Sequence, residues 1–371
     1  MNFNELKLSG SILKAISKAG YTTATSIQSE AIPRIIEGRD VLACAQTGTG
    51  KTAAFAIPIL QQLQQNPSRK KAIRVLVVTP TRELAVQIHK NFNAYSAFLP
   101  ITSQVIVGGV SQQKQIIGLK KRTDIVIATP GRLLDLVNTK HINLSYIETL
   151  VLDEADTMLD MGFINDIKKI LSLLPKKKQI LFFSATLPKA IRKFALNILY
   201  QPEEIVVAPV SSTAHTVEQS VCFTPKQEKR EVLVSLLKNN KSSRSLIFTR
   251  TKRGADKLVK HLDKTGIKAA AIHGNKSQNA RQKALNDFKD SRIAILVATD
   301  IASRGIDIAG LPQVINYELP NVPETYVHRI GRTGRAGKPG HAISLCDTDE
   351  RTYLKTIENL IGFSIPRHQA K

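Results

Sequence analysis

The sequence predicts an α/β protein made of two similar units, each with a mostly parallel sheet and helices on both faces. Short apolar runs rich in Val, Ile and Leu alternate with stretches of helical period along the chain. This alternation is typical of parallel sheets that are covered by helices. The length of 371 residues suits two domains better than one.

Seven apolar runs predict the strands of the first unit. They lie at residues 41–44, 74–78, 103–107, 124–128, 149–152, 179–183 and 204–207. Between them, apolar residues recur with a period of about 3.6 over residues 82–98 and 163–174, which predicts amphipathic helices. Helical stretches between strands favour parallel crossover connections.

A break in this pattern predicts the domain boundary. Residues 208–216 lack a period and contain Val210 as their single large apolar residue, so we expect a linker. The predicted domains are therefore residues 1–207 and 217–371. Strands of the second unit are predicted at residues 217–223, 245–248, 269–272, 293–298, 313–317 and 342–345, and a last helix at 349–361.

The charge balance points to a polyanionic partner. The chain carries 53 basic and 30 acidic side chains, for a net charge of +23. The excess is shared, because residues 1–210 contain 26 basic and 15 acidic side chains and residues 211–371 contain 27 and 15. Such a field favours nucleic acid, although a merely soluble basic surface is the alternative. Aromatic residues are only 5% and Trp is absent, so contacts to sugar and phosphate are expected more than base stacking.

Cysteine use and the N-terminus indicate a cytoplasmic protein without membrane contact. Cys44, Cys222 and Cys346 lie in apolar runs and lack metal-ligand spacing, so core positions and a reducing compartment are expected. The first residues show no signal-peptide pattern, and no apolar stretch reaches membrane-spanning length.

A phosphate-binding loop follows the first predicted strand and opens a helix. Backbone N–H groups of such a loop approach phosphate oxygens at a helix N-terminus. Lys51 is expected to reach the β and γ phosphates, and the Thr52 hydroxyl to bind Mg²⁺. Ala45 stands where the general pattern has Gly, so the loop is a variant, and a chance Gly-rich turn is the alternative. The loop residues are Gln46, Thr47, Gly48, Thr49, Gly50, Lys51 and Thr52.

Two carboxylates directly follow the strand at residues 149–152. Asp153 is expected to position Mg²⁺, and Glu154 to orient or deprotonate an attacking water. An acidic helix cap would explain one carboxylate, but not the pair together with a phosphate loop. The two motifs predict a site for a nucleoside triphosphate and Mg²⁺.

Other polar clusters also follow predicted strands, where open parallel sheets place their ligands. Any one of them alone could be a turn or a helix cap. Together they suggest two faces that meet over a shared ligand. The clusters are residues 79–83, 108–109, 129–132 and 184–186 in the first unit and 249–251, 273–274 and 298–300 in the second.

Near the end of the second unit, Arg332 and Arg335 have a spacing suited to anionic oxygens. The phosphate site of the first unit has no spare arginine. These two residues are therefore predicted to stabilise transition-state charge in the manner of an arginine finger. A solvated basic loop is the alternative.

In their order along the chain, these motifs resemble those of the DEAD-box RNA helicases of superfamily 2. The resemblance extends from Phe3 to about Asp347, and residues 153–164 and 246–255 are most similar to the bacterial RhlE branch. It implies two tandem RecA-like domains and ATP as the nucleotide.

The segment around Tyr21 is similar to the motif that selects adenine in this family. The resemblance implies that Gln28 reads the edge of the base and that Phe3 stacks on it. Ala24 and Ser26 stand where prolines are usual.

The resemblance also implies roles for residues at the other strand ends. Asp156, Ser184, Thr186 and His328 are expected to couple hydrolysis to strand separation, and Gly305 and Asp307 to bridge nucleotide and RNA. The residues expected to hold the RNA backbone are Thr81, Arg82, Gly108, Gly109, Thr129 and Arg132 in the first unit and Arg250, His273, Gly274, Gln278, Arg281 and Thr299 in the second.

The predicted function is an RNA-dependent ATPase that locally separates short RNA duplexes without reading their sequence. We expect a monomer, with ribosome assembly or RNA decay as possible settings. Two rival interpretations stay open: a DNA translocase of the same superfamily, and a non-catalytic RNA clamp that uses ATP only to lock.

Overall fold

The computed structural model describes residues 1–46, 48–68, 70–207, 217–239, 244–303, 308, 310–334 and 340–368. The predicted linker at 208–216 lies outside these ranges. Four predicted site residues also lie outside them, namely Thr47, Gly305, Asp307 and Arg335. The chain divides by its contacts into two compact units, Met1–Pro209 and Val210–Lys371.

The first unit contains a seven-stranded parallel sheet in the order β3-β4-β2-β5-β6-β1-β7. Val41 of β1 pairs with Leu181 of β6 on one side and Glu203 of the edge strand β7 on the other, which sets the register at this end of the sheet. The strands are β1 (Val41–Ala45), β2 (Val75–Val78), β3 (Ser103–Ile106), β4 (Ile125–Ala128), β5 (Thr149–Leu152), β6 (Gln179–Ser184) and β7 (Glu203–Val207).

Helices connect these strands. Several begin at a Ser or Thr cap, such as Thr81, whose Oγ1 accepts a hydrogen bond from Leu84 N at 3.3 Å. The helices are α1 (Gly10–Lys18), α2 (Ser26–Ile36), α3 (Lys51–Gln65), α4 (Arg82–Tyr95), α5 (Gln112–Leu119), α6 (Pro130–Asn138), α7 (Ala155–Asp160), α8 (Ile164–Ser172) and α9 (Lys189–Ile198), after a 3₁₀ turn at Phe3–Leu6.

The five inner strands of the first sheet are buried along their whole length. Successive side chains of each strand point to opposite sides, so both faces of the sheet are covered. On β2, Val75 and Val77 belong to one core cluster, and Leu76 and Val78 belong to the other. Phe182 and Phe183 of β6 divide in the same way. The continuous apolar runs of the sequence are therefore required by two cores rather than one.

The second unit contains a six-stranded parallel sheet in the order β10-β11-β9-β12-β13-β8. Its strands are β8 (Glu218–Phe223), β9 (Ser245–Thr249), β10 (Ala269–Ile272), β11 (Ile295–Thr299), β12 (Gln313–Asn316) and β13 (His341–Cys346). Its helices are α10 (Lys229–Asn239), α11 (Lys252–Lys264), α12 (Gln278–Lys289), α13 (Asp300–Ser303), α14 (Pro323–Ile330) and α15 (Arg351–Ile361), with a 3₁₀ turn at Thr348–Glu350.

The predicted fold class is confirmed, and the differences concern element ends. The last helix begins at Arg351 rather than residue 349, because Asp347 and Glu350 form a capping box around the 3₁₀ turn. The strand predicted from residue 293 begins at Ile295, after Ser291 adopts a left-handed conformation with φ of 59°. The three cysteines are free, and no described helix has the length and apolar character needed to cross a membrane.

A buried ionic network holds the start of α10 in the second unit. The Lys229 side chain is 2% exposed, and its Nζ lies 2.5 Å from Glu350 Oε2 and 3.1 Å from Asp347 Oδ2. It also donates to Tyr317 O at 3.2 Å, while Glu350 Oε1 accepts from Leu319 N at 3.1 Å. Removing Lys229 would leave Asp347 without its cation and Glu350 with only the more distant Arg250, whose Nη2 lies 3.4 Å from Glu350 Oε1, so two buried carboxylates would lose most of their compensation.

Lys229→Met is therefore expected to destabilise the protein by about 3–5 kcal/mol, the usual effect of breaking a buried ion pair. The measurement is urea unfolding followed by circular dichroism. Lys226 is exposed, so Lys226→Met is the matched control and should change the free energy of unfolding by less than about 0.5 kcal/mol. Equal unfolding midpoints for the two variants would contradict this interpretation.

Candidate functional site

The sheet order divides the carboxyl edge of the first sheet into two neighbouring halves. Strands β5, β6 and β1 form one half, which is followed by the acidic pair, residue Ser184 and the phosphate-binding loop. Strands β3, β4 and β2 form the other half, which is followed by the residues predicted to hold RNA. The sequence alone could not show this division, because it does not reveal which strands are neighbours.

The phosphate-binding loop runs between Ala45 at the end of β1 and Lys51 at the start of α3. Gly48 and Gly50 have φ of 91° and 92°, which favour glycine. A Cβ at Gly50 would lie 2.2 Å from Gln28 Nε2, so a side chain there would collide. Lys51 is 7% exposed, and its Nζ donates to Ala45 O at 2.5 Å, which folds the side chain back over the loop.

The start of α2 holds the phosphate-binding loop from the side. Gln28 is 2% exposed; its Oε1 accepts from Thr25 N at 3.0 Å and its Nε2 donates to Gly50 O at 3.2 Å. The Thr25 hydroxyl donates to Thr49 O at 2.8 Å. The predicted adenine-reading residue is thus also a support for the loop, a role that the sequence did not indicate.

The two aromatic residues predicted to bind nucleotide lie in different environments. Phe3 is 3% exposed and packs within the first core cluster, so its ring is not open to a base in this structure. Tyr21 is 45% exposed, and its ring centroid lies 6.2 Å from that of Tyr95. Base stacking by Phe3 stays a prediction that requires the N-terminal segment to shift.

Asp153 is buried directly after β5. It is 2% exposed, its N donates to Val78 O at 3.0 Å, and its Oδ1 accepts from Glu154 N at 3.0 Å. Burial raises the pKa of this carboxyl to about 7, against the opposing effect of Lys51. Because ionisation of this buried carboxyl is costly, a nearby cation would stabilise its carboxylate form.

Glu154 adopts a left-handed conformation with φ and ψ of 50° at the start of α7. Only a minority of non-glycine residues do so, at a cost of order 1–3 kcal/mol that is characteristic of functional positions. The residue is 7% exposed.

The residues of this half fit a magnesium nucleotide. The ammonium group of Lys51 and the N-terminus of α3 suit phosphate oxygens. The Thr52 hydroxyl and the Asp153 carboxylate are hard oxygen donors of the kind that Mg²⁺ prefers. Among the described residues there is no group of three or more His, Cys, Asp and Glu that could hold a metal. Mg²⁺ needs only one or two carboxylates where nucleotide phosphates complete its shell.

Asp156 joins the loops that follow β5 and β6. Its Oδ2 accepts from Ala185 N at 3.2 Å, from Thr186 N at 2.9 Å and from Thr186 Oγ1 at 2.9 Å. The Ser184 hydroxyl accepts from Asp156 N at 3.3 Å and donates to Thr186 O at 2.6 Å. Three of the four residues predicted to couple hydrolysis to strand separation are therefore in direct contact.

The other half of the edge contains a close packing of Arg82 against two glycines. A Cβ at Gly109 would lie 1.9 Å from Arg82 Nη1, and one at Gly108 would lie 3.3 Å from Nη2. The glycines therefore make room for the guanidinium. Arg132 Nη1 donates to Val110 O at 3.4 Å, which places a second guanidinium beside the same loop.

Thr81 and Thr129 cap the helices that follow β2 and β4. The structure thus brings the six residues of the first RNA set to adjacent strand ends.

In the second unit, Arg250 follows β9 and is held by acidic residues. Its N donates to Glu318 Oε2 at 2.6 Å, and its Nη2 lies 3.4 Å from Glu350 Oε1. The guanidinium also lies 5.7 Å from the Tyr353 ring centroid, and one third of the side chain is exposed.

The remaining residues of the second RNA set lie at the ends of β10 and β11 and on α12. His273 is 1% exposed, and its Nε2 lies 3.0 Å from Asp256 Oδ1. Thr299 and Arg281 are 7% and 8% exposed, and Gln278 is the first residue of α12. Because β10, β11 and β9 are neighbours, the second set also occupies one half of its sheet edge.

Gly274 follows His273 directly. A Cβ at Gly274 would meet Lys252 Cε at 3.4 Å, which is ordinary contact. Among the described residues, no contact is close enough to exclude a larger side chain at this position.

Helix α14 follows β12. His328 lies in its last turn, and Arg332 lies just after its C-terminus. Arg332 is 5% exposed, and its carbonyl accepts from Leu311 N at 3.1 Å. The Thr333 hydroxyl donates to Leu311 O, which fixes the turn that follows Arg332. His328 is half-buried in the last helical turn.

Sequence reasoning missed the structural role of Arg329. The side chain is 1% exposed, and it pairs with Asp300 through contacts of 2.5 and 2.8 Å. It also donates to Asn316 Oδ1 at 3.1 Å and lies 5.0 Å from the Phe248 ring centroid. The helical period could have indicated that Arg329 is buried, because Tyr326 lies three residues earlier on the same face of the helix.

A phosphate-binding loop and a buried acidic pair on one parallel sheet, followed by a second sheet with arginines, define a nucleotide hydrolase with tandem RecA-like domains. Comparisons with known families agree. The family model described as "DEAD/DEAH box helicase" matches residues 25–194. The family model described as "Helicase conserved C-terminal domain" matches residues 228–337.

Relatives and solved structures are similar over almost the whole chain. The DEAD-box ATP-dependent RNA helicase CshA of Streptococcus pneumoniae is 45% identical over 360 residues, which cover 97% of this chain and 68% of that protein. RhpA of Helicobacter pylori is 45% identical over 98% of this chain and 73% of its own length.

The structure of S. cerevisiae Dbp5 bound to RNA and ADP BeF3 matches with a TM-score of 0.90 and 32% identity, and covers 99% of this chain and 95% of that chain. The chain therefore belongs to the DEAD-box family of ATP-dependent RNA helicases.

The raised pKa of Asp153 predicts a titration near neutral pH. Without a cation, the carboxyl should be protonated below about pH 7 and ionised above it. A cation that binds the carboxylate competes with the proton, so Mg²⁺ with ATP should keep Asp153 ionised at lower pH. ¹³C NMR of labelled Asp carboxyls measures this, with Asp153→Asn for assignment. Titration at an ordinary Asp pKa without a cation would contradict the effect of burial.

Proposed function

We propose that this protein couples RNA-stimulated ATP hydrolysis to the local separation of short RNA duplexes. One observation carries the proposal: the residues predicted to bind phosphate and metal lie on one half of a single sheet edge, and those predicted to bind RNA in the first unit lie on the adjacent half. Asp156, Ser184 and Thr186 connect the loops of the first half. The first half is joined to the second where Asp153 N donates to Val78 O at 3.0 Å, and this contact provides a route by which occupation of one half can affect the other.

In this proposal, Lys51 binds the β and γ phosphates, and Glu154 orients or deprotonates the attacking water. Thr52 and Asp153 hold Mg²⁺, which neutralises phosphate charge when bound. Gln28, Tyr21 and Phe3 select ATP by its adenine, and the glycines of the loop admit the phosphates. The Ala45 carbonyl that now accepts from Lys51 Nζ would release the ammonium group to the nucleotide.

We propose that the second unit completes the site when ATP and RNA bind. Arg332 and Arg335 would then stabilise the charge that develops on the transferred phosphoryl group. Gly305 and Asp307 would link the nucleotide to the RNA, and His328 would join the coupling group of Asp156. The division of the chain into units Met1–Pro209 and Val210–Lys371 supports the proposal that two domains close over the ligands.

The RNA contacts are proposed to involve phosphates and 2′-hydroxyl groups rather than base edges. Threonines, glycines and arginines predominate in both RNA sets, and these residues suit the sugar-phosphate backbone. Recognition would then be independent of sequence yet selective for RNA through the 2′-hydroxyl. Local strand separation would follow when closure bends one strand.

The proposal also includes the branch of the family to which the chain belongs. Residues 153–164 and 246–255 favour the RhlE branch within the DEAD-box family. The domain limits 1–207 and 217–371, a monomeric state, a cytoplasmic location and a part in ribosome assembly or RNA decay stay predictions.

The ATPase rate is expected to rise on addition of RNA and much less on addition of DNA of the same sequence. The physical reason is the 2′-hydroxyl, which DNA lacks. Phosphate release measured with matched RNA and DNA strands tests this. Equal stimulation by DNA would favour a DNA translocase.

Glu154→Gln should bind ATP and RNA but lower kcat by about 10²–10⁴-fold, the usual contribution of a general base. Multiple-turnover phosphate release with saturating RNA measures kcat. Glu37 is exposed in the same unit, so Glu37→Gln is the matched control and should keep the normal rate. Unchanged turnover in Glu154→Gln would remove this residue from catalysis. Negligible turnover in the unsubstituted protein would favour an RNA clamp.

A further inference from the structure

The amino edge of the first sheet, opposite the candidate site, carries a second basic surface. The segments that precede β2, β4 and β5 meet there, because Arg74 N donates to Asp124 O at 2.9 Å and Glu148 N donates to Arg74 O at 2.8 Å. We call seven of the exposed side chains of these segments the amino-edge patch. It consists of Lys70, Lys71, Lys120, Lys121, Arg122, Lys140 and Tyr146.

The acidic side chains of these segments are already paired. Asp124 is 5% exposed and lies 3.1 Å from Arg122 Nε. Glu148 makes two contacts of 2.7 Å with the buried guanidinium of Arg74. The five lysines of the patch therefore carry positive charge that the acidic groups in the described parts of these segments do not offset.

An aromatic ring and a groove lie among these lysines. Tyr146 is 48% exposed, and Lys70 Nζ lies 5.6 Å from its ring centroid. A groove of about 160 Å³ is lined by Lys71, Lys121 and Tyr146, together with His141 and Asn143. Cations around an exposed aromatic ring are the combination that binds single-stranded nucleic acid, because phosphates take the charges and a base stacks on the ring.

We propose that the amino-edge patch is a second RNA-binding surface that holds strands extending beyond the candidate site. The strands of the first sheet contain four to six residues, so the two edges are separated by about 13–20 Å at roughly 3.3 Å per residue. RNA bound at the carboxyl edge is thereby concentrated at the patch, provided that it is long enough to pass around the unit. The patch goes beyond the proposed function, which uses the carboxyl edge alone.

The test compares two triple charge reversals. Lys70→Glu, Lys121→Glu and Lys140→Glu change the patch. Lys257→Glu, Lys260→Glu and Lys264→Glu change the exposed face of α11 by the same net charge. Each variant of the full chain is titrated with a short single-stranded RNA and with the same strand joined to a hairpin, over a range of KCl concentrations.

The patch variant should bind the hairpin RNA more weakly, and the negative slope of log K against log [KCl] should decrease in magnitude by about 2–3. Each lost phosphate contact removes roughly 0.7–0.9 from this slope. Its affinity for the short strand and its ATPase rate with that strand should be unchanged. The α11 variant should keep the normal slope for both RNAs.

Equal losses in the two triple variants would overturn the proposal, since they would indicate only the general field of a basic protein. Unchanged hairpin affinity in the patch variant would also overturn it. The binding of that variant and of the unsubstituted protein to an acidic protein or an anionic vesicle could then be compared. Failure of the proposed function would be distinct, because the short strand would not stimulate ATP hydrolysis in the unsubstituted protein.

Ultraviolet cross-linking supplies a second measurement. The hairpin RNA should cross-link to the peptide that contains Tyr146, and Tyr146→Ser should lose this product and weaken binding without changing the salt slope. A cross-link pattern without this peptide would contradict stacking on Tyr146.

Discussion

Every functional arrangement in this protein depends on the parallel direction of its strands. Parallel pairing places all carboxyl ends at one edge of a sheet, so loops that are far apart in sequence become neighbours. In the first unit this brings the phosphate-binding loop after β1 and the acidic pair after β5 to the two sides of β6. Both faces of the sheet must then be covered, which explains why successive residues such as Phe182 and Phe183 belong to different cores. The edges of the sheet are then the positions where polar side chains can cluster.

Sequence reasoning identified the strands because a strand buried on both faces leaves a continuous apolar run. It could not identify strand neighbours, since the order β3-β4-β2-β5-β6-β1-β7 arises from crossover connections. It also could not separate the environments of similar residues. The sequence did not show that Phe3, for which base stacking stays a prediction, packs within the first core cluster while Tyr21 is exposed. Arg329 and Arg332 stand three residues apart, and only the structure distinguishes the one that is bound to Asp300.

The acidic segment after β5 places three carboxylates in three different environments. Asp153 is buried where ionisation is costly, so its pKa is raised and a cation would be favoured beside it. Glu154 follows on strained left-handed backbone. Asp156 is surrounded by donors from Thr157, Ala185 and Thr186. The three carboxyl groups are close in sequence, and their environments distinguish them.

The bonds of Asp156 have a mechanical consequence. Its Oδ2 accepts three hydrogen bonds from the loop after β6, while its own N is held by Ser184. A carboxylate committed in this way is unsuited to bind a metal or move a proton, because each lost bond would leave a buried polar group unsatisfied. The loops after β5 and β6 must therefore move together. A displacement of Asp153 or Glu154 during hydrolysis would be transmitted to Thr186, which gives the proposed coupling a physical basis in the first unit alone.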